Sequence, residues 1–512
     1  MDVSRKKVVV IGGGASGLTA GIYALKYGFD VDIYEKNSYV GGLCTGWRRK
    51  GSYIDGCIHW LTESNYGALN DLWRDVGALS PDVRIHHYDV YCQVRCNGHD
   101  VNFFTDPQKL RDELLHFAKT DNDKRLVKQF VWAVKRCKTN AITVHKPYHL
   151  WRIWDVARFL FKAFSIFPVI KKFGKVGIDD FVERLDSDEL RFAFANNLCP
   201  DKYSVFSIAS TYGGIASQNS GVPIGGSKAF AERMLAKFLS LGGRIHTSAP
   251  ADEIVVRNGH VSGVRMADGN IISADYYITA CDLHYVLGSL LRGRFHIKQL
   301  DQRDASSGHF PVFSCFVLTY RTRQNLNSLT HNRYLQCQPY SILSRSYDAI
   351  YVKHFDYDEV VSSDGWTVVQ SLITTDQAQY EQLARMSRVD YLSLKADVDS
   401  LFRNRLAATV ADEYGDLELL DVASPLTFAR YTHAYKGSFM AYMFTKFGKQ
   451  MIIRNDVLPL DNIALAGHWM MVPGGLPVAV MQGKFAAMSI AHFAKHGRDV
   501  SQGDDNVDMR SL

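Results

Sequence analysis

The hydrophobic pattern over residues 8–35 switches period twice. Val8-Val9-Val10-Ile11 is an unbroken β-branched run, as expected of a strand buried on both faces. Apolar positions then follow helical spacing from Leu18 to Tyr27, and Gly28 ends that helix. Val31-Asp32-Ile33-Tyr34 predicts a second strand that closes on Glu35.

Two later stretches return to the same layer. After Pro223-Ile224-Gly225-Gly226-Ser227 comes a helix over Lys228–Leu241, then a strand Arg244–Thr247. A hairpin around Asn258-Gly259 follows, continuing through Val261–Met266 to Asn270–Ser273, and Ala274–Ala280 re-enters the sheet. The third piece is a strand Ile463–Ala466, a glycine-rich turn, and a helix from about Val478 to Lys495. Between these pieces, 106–198 reads as helical, 312–318, 349–355 and 366–374 as strands, and 391–414 as a long helix.

This order predicts an α/β chain. A discontinuous Rossmann-like dinucleotide-binding domain would take residues 1–65, 221–290 and 456–498. An inserted α+β substrate domain would take 66–220 and 291–455, and the polar, acidic tail 499–512 is expected to be disordered.

The chemistry is concentrated between the first two strands. Gly12-Gly13-Gly14-Ala15-Ser16-Gly17 satisfies G-x-G-x-x-G at Gly12, Gly14 and Gly17, and Glu35 lies eighteen positions beyond. Gly12 serves the tight turn, Gly14 lets backbone approach a pyrophosphate, and Gly17 lets helix pack on strand. The helix N-terminus supplies N–H groups and partial positive charge to the phosphates, and Glu35 can accept hydrogen bonds from a ribose.

Composition changes this picture little. An apolar content of 46% with 22% charged residues fits a globular enzyme, and 512 residues suffice for a sizeable core. A net charge of +6 is mild at this length, and no nucleic-acid partner is expected. Nine cysteines without paired C-x-x-C spacing read as reduced thiols, with neither a disulfide framework nor a metal site expected. Arg5-Lys6-Lys7 before an apolar run imitates a signal peptide, but the run breaks at the glycine loop, so a cytoplasmic location is expected.

Further motifs carry a resemblance. Six residues after Glu35 comes a second glycine pair, Gly41-Gly42, then Tyr53-Ile54-Asp55-Gly56-Cys57-Ile58-His59-Trp60. Later come Pro223–Ser227, Ser424-Pro425-Leu426-Thr427-Phe428 with Lys436-Gly437-Ser438, and Ala466-Gly467-His468-Trp469 with Pro473-Gly474-Gly475-Leu476-Pro477. Over almost its full length the chain resembles the phytoene desaturase, carotenoid isomerase and retinol saturase group of the flavoprotein superfamily that includes amine oxidases.

The resemblance implies FAD as cofactor. It places Gly12, Gly14, Ala15, Ser16, Gly17, Glu35, Lys36, Gly41, Gly42, Leu43, Ala251, Gly467, Gly474, Gly475, Leu476 and Pro477 against it. The glycines at 474 and 475 would leave room for the ring, and the following helix would aim its N-terminus at the isoalloxazine. His59 and His468 are the catalytic candidates, each able to move a proton beside the flavin, with a hydrogen-bonded core histidine as the alternative for both. Asp55 is read as a brace for its loop.

Residues 151–175 stand apart. Arg152, Asp155, Arg158, Lys162 and Ser165 form a narrow polar stripe on a Trp- and Phe-rich helix, and Lys171, Lys172 and Lys175 follow Pro168. Such a helix is either a lid on an apolar core or a peripheral membrane contact.

The expected activity is oxidation, reduction or isomerisation of carbon–carbon double bonds in an apolar small molecule, with an external electron donor or acceptor where the chemistry is not redox-neutral. Two alternatives remain open on sequence. One is a flavin amine oxidase with Trp60 or Tyr442 in an aromatic cage; the other is a lipid carrier of the GDP-dissociation-inhibitor type, against which the intact glycine loops and Glu35 argue.

Overall fold

The computed structural model describes residues 5–138, 144–197, 203–448, 451–498 and 507–509. Its first layer is a five-stranded parallel sheet in the order Arg244–His246, Asp30–Tyr34, Lys7–Ile11, Tyr276–Thr279, Ile463–Leu465. Strands from all three predicted stretches therefore lie side by side. Lys7–Ile11 is central, and Val8, Val9 and Val10 have no exposed surface, which is why that run carries no polar alternation.

The helices Ala15–Lys26 and Leu476–His496 pack together over this sheet. Their close approach is set by Gly483, where a Cβ would stand 2.2 Å from the Ser16 carbonyl oxygen. The Asn258-Gly259 hairpin forms as predicted, joining Ala251–Arg257 to His260–Met266 with positive φ at both turn residues.

The second layer is a seven-stranded sheet in the order Glu418–Ala423, Ser314–Thr322, Thr367–Thr375, Arg345–His354, Asn332–Ile342, Val90–Cys96, His99–Phe104. Its neighbours are antiparallel except Asn332–Ile342 with Val90–Cys96. The long helix Arg388–Val410 covers it, burying Val398, Phe402 and Leu406 one turn apart. Helices from Pro107–His116 to Val205–Ala216 form the remaining wall, in agreement with the helical reading of 106–198.

One expectation is corrected. Within the tail, Val507–Met509 pairs antiparallel with Phe295–Ile297, so this part of 499–512 is a strand. Val507 and Met509 alternate with Asp508 in a way that permits a short edge strand, which composition alone hides.

Candidate active site

The glycine loop and the second glycine pair meet in space. Gly14 and Gly41 form a parallel bridge, and the Gly41 N–H donates to the Gly13 carbonyl at 2.9 Å. Gly12 takes φ +101° in the strand-to-helix turn. A Cβ on Gly17 would stand 1.9 Å from the Gly12 carbonyl oxygen, so this glycine serves helix-on-strand packing, as expected. These segments line a cleft together with Ala15, Ser16, Glu35, Lys36, Gly42, Leu43, Ala251, Gly467, His468, Gly475 and Leu476.

Three observations fit this cleft to a dinucleotide. A Cβ on Gly14 would meet no protein atom closer than 3.8 Å, and its φ of −71° suits any residue. Protein packing therefore does not demand glycine there, whereas a pyrophosphate in the cleft does. The Ser16 hydroxyl is buried without a hydrogen-bond partner, and no side chain caps the helix that begins at Ala15. A phosphate would satisfy both the hydroxyl and the free N–H groups. The second helix opening on the cleft, Leu476–His496, also lacks a side-chain cap.

Glu35 is buried with its carboxylate already engaged. Oε2 accepts the Gly13 N–H at 2.7 Å, and Oε1 accepts the Asn37 backbone and side-chain N–H groups at 2.8 and 2.9 Å. Lone-pair capacity remains on Oε2 for a ribose hydroxyl. Lys36 lines the cleft but gives its ammonium to the Arg430 carbonyl at 2.8 Å.

Three predicted contacts, Gly17, Gly474 and Pro477, are not part of the cleft lining, and for Gly17 the reason is the packing role just described. A Cβ on Gly474 would stand 2.7 Å from the Ala441 Cβ, so this glycine admits the neighbouring chain and leaves no space for a ring. Pro477 sits at the start of the final helix, where its missing N–H costs nothing, and is not part of the lining.

A chamber of about 1130 Å³ adjoins the cleft, and Leu43, Cys57 and Phe439 belong to both. Trp60, Tyr91, Val317, Tyr334, Tyr351 and Met443 are among its walls. His59 is among its lining residues. Burial and the Lys353 ammonium push this imidazole down to about 3, so it is neutral across the physiological range.

The loop carrying His59 is pinned by Asp55, which performs the bracing expected of it. Its Oδ1 accepts from the Cys57 N–H at 3.0 Å and the Ser227 hydroxyl at 2.8 Å, while Oδ2 accepts the Ser227 N–H at 2.6 Å. Ser227 in turn accepts the Ile58 N–H at 2.9 Å. The buried Lys353, its ammonium lowered to about 8 by burial against the pull of Asp55 and Asp358, supplies compensating charge.

His468 lines the cleft rather than the chamber, and burial lowers its imidazole against the opposing attraction of Asp282. The structure thus separates the two histidines. Behind His468 lies a charged group that sequence reasoning missed. His284 is stacked on Tyr435 at 3.7 Å and placed 3.3 Å from Asp282 and 3.0 Å from Asp304. Burial opposes its charge, but the two carboxylates outweigh it and raise the imidazole to about 9. Asp282-x-His284 carries no spacing signal that distinguishes it from a surface pair. Tyr442, a cage candidate, donates to Asp304 and is absent from the chamber lining.

The flavin containing amine oxidoreductase family matches residues 15–491. The chain belongs to this family. Among relatives, it is 21% identical over 515 residues to a 4,4'-diaponeurosporene oxygenase of Staphylococcus haemolyticus, covering 95% of this chain and 97% of that protein. It is 20% identical over 527 residues to a 4,4'-diapophytoene desaturase of Methylomonas, covering 95% and 96%. Wild-type putrescine oxidase bound to putrescine superposes with a TM-score of 0.56 at 14% identity, covering 95% and 99%, which shows a shared fold. The protein is an FAD-dependent oxidoreductase.

Proposed function

We propose that this flavoenzyme acts on carbon–carbon double bonds of a long uncharged substrate, a carotenoid- or retinoid-like polyene or an unsaturated fatty acyl chain. The observation that carries the reading is the character of the chamber. It exceeds the usual 300–1,000 Å³ of a ligand pocket. Its lining acids, Asp188 and Asp348, have lining arginines nearby in sequence, Arg191 and Arg345, and Asp188 is paired with Arg191. The described chamber lining holds no other carboxylate, and its one imidazole, His59, is neutral. An extended apolar chain suits such walls better than a charged amine.

FAD, when bound, supplies hydride transfer. The chain's own part is to line up the substrate along aromatic walls, exclude water at the junction, and hold or move a proton at the His59 imidazole. The carotenoid-related names of the two relatives above support the substrate class. Electrons pass to or from an external partner unless the net change is isomerisation. The test is turnover of a conjugated polyene, followed by its absorbance with and without a reductant. Extension or loss of conjugation, or cis–trans change, supports the reading; turnover of amines with inert polyenes overturns it.

A further inference from the structure

The helix Ile153–Phe164 is inside out. Of nineteen large apolar side chains exposed among the described residues, seven fall between residues 153 and 167. Ile153, Trp154, Leu160, Phe161, Phe164 and Phe167 are 60–84% exposed and Val156 is 42% exposed. At 100° per residue, those of the helix itself lie in one arc of about 160°. Phe159 lies outside that arc and packs on Trp151, while Asp155 pairs with Lys146 and accepts the Arg152 N–H. The apolar arc therefore faces away from the protein. This excludes the core-lid reading, which needs Trp154 and Phe161 covered.

A second feature adjoins it. The next helix, Phe167–Phe173, meets the helix Asp121–Cys137 along a groove lined by Lys124, Arg125, Lys128, Gln129, Trp132 and Lys172. One acid, Asp121, lies there and pairs with Lys124 at 3.1 Å. Lys172 stands over the Trp132 ring at 5.9 Å, and the exposed Lys171 and Lys175 extend the positive charge. No helix among the described residues is long and apolar enough to cross a membrane.

We propose that this face docks on an anionic phospholipid membrane, with the apolar arc of residues 153–167 in the headgroup–acyl boundary and headgroup phosphates in the Lys124–Lys172 groove. An outward apolar helix fits a lipid interface, and the adjoining cations fit the sign of anionic lipid. The proposal goes beyond the substrate reading and does not depend on it.

Flotation of the yellow holoprotein tests it, using vesicles of phosphatidylcholine alone and of phosphatidylcholine with phosphatidylserine. Wild type is expected to float with the anionic vesicles and to be weakened by high salt. Trp154→Glu with Phe161→Glu should abolish flotation. Lys124→Glu, Lys128→Glu and Lys172→Glu together should weaken binding to anionic vesicles by roughly tenfold or more. All five positions are on the surface, and the flavin spectrum reports that each variant is folded. The proposal fails if wild type stays at the bottom, or if either variant floats as wild type does. It also fails if wild type does not float but is a dimer that the Trp154 and Phe161 changes dissociate, since the occupant is then a second copy. No arm uses turnover, so failure of the substrate reading leaves the result decisive.

Discussion

Glu35 accepts the Gly13 N–H at 2.7 Å, tying the end of the second strand to the glycine loop that precedes the first helix. One carboxylate thus shapes the phosphate loop while lining the cleft with lone-pair capacity to spare. Glu35→Ala removes both roles and leaves a buried N–H without its partner. The expected outcome is a folded protein whose FAD affinity falls by roughly 10- to 100-fold, the equivalent of about 1–3 kcal/mol. Flavin fluorescence titration measures this, and unchanged affinity would remove Glu35 from the site.

Gly14 and Gly17 should respond differently to the same substitution. A side chain at 14 meets open cleft, whereas one at 17 collides with the Gly12 carbonyl. Gly14→Val is expected to fold, with unchanged circular dichroism, and to purify colourless. Gly17→Val is expected to be insoluble or unfolded. A yellow Gly14→Val protein would show that the pyrophosphate does not pass there.

His59→Gln is expected to retain the flavin spectrum and to slow turnover by roughly 10²–10⁴-fold, the range of general acid–base catalysis. Because burial and Lys353 hold the imidazole near 3, the wild-type rate should show no inflection from this group between pH 5 and 8. Full activity in the variant would deny the proton role. Loss of flavin or solubility would mark a structural histidine instead.

The pair of acids around His284 makes a separate claim on pH. Its imidazole is raised to about 9 in the folded protein, against about 6.5 when unfolded. The folded state therefore gains its full contribution below pH 6.5 and loses it as pH rises to 9. That contribution is at most about 3 kcal/mol. Denaturant melts at pH 6 and pH 9 should show a larger loss of stability in wild type than in His284→Gln. Parallel losses in both would contradict the assignment.

Legibility in the sequence followed burial. Val8–Ile11, the glycine loop, Glu35 and Gly41-Gly42 are contiguous signals, and each lies where its pattern placed it. The hairpin Val90–Cys96 to His99–Phe104 carried a signal that went unused, the Asn97-Gly98 turn with positive φ at both residues. The strand Asn332–Ile342 contains Pro339 and three glutamine or asparagine residues, which masks its alternation, and a register irregularity spans the proline. Lys353 and His284 become visible only when distant segments meet around them. The helix at 153–164 showed its polar stripe in sequence, but which side faces the protein depends on its neighbours.

Anaerobic mixing of the purified holoprotein with a conjugated polyene tests the central claim most directly. The oxidised and chemically reduced forms are each followed at the flavin and polyene absorption bands. The account predicts a change in the polyene spectrum in at least one redox state, either matched one-for-one by the flavin or, for isomerisation, with the flavin unchanged overall. Polyene and flavin spectra that stay constant in both states, while an amine bleaches the oxidised flavin, would contradict it.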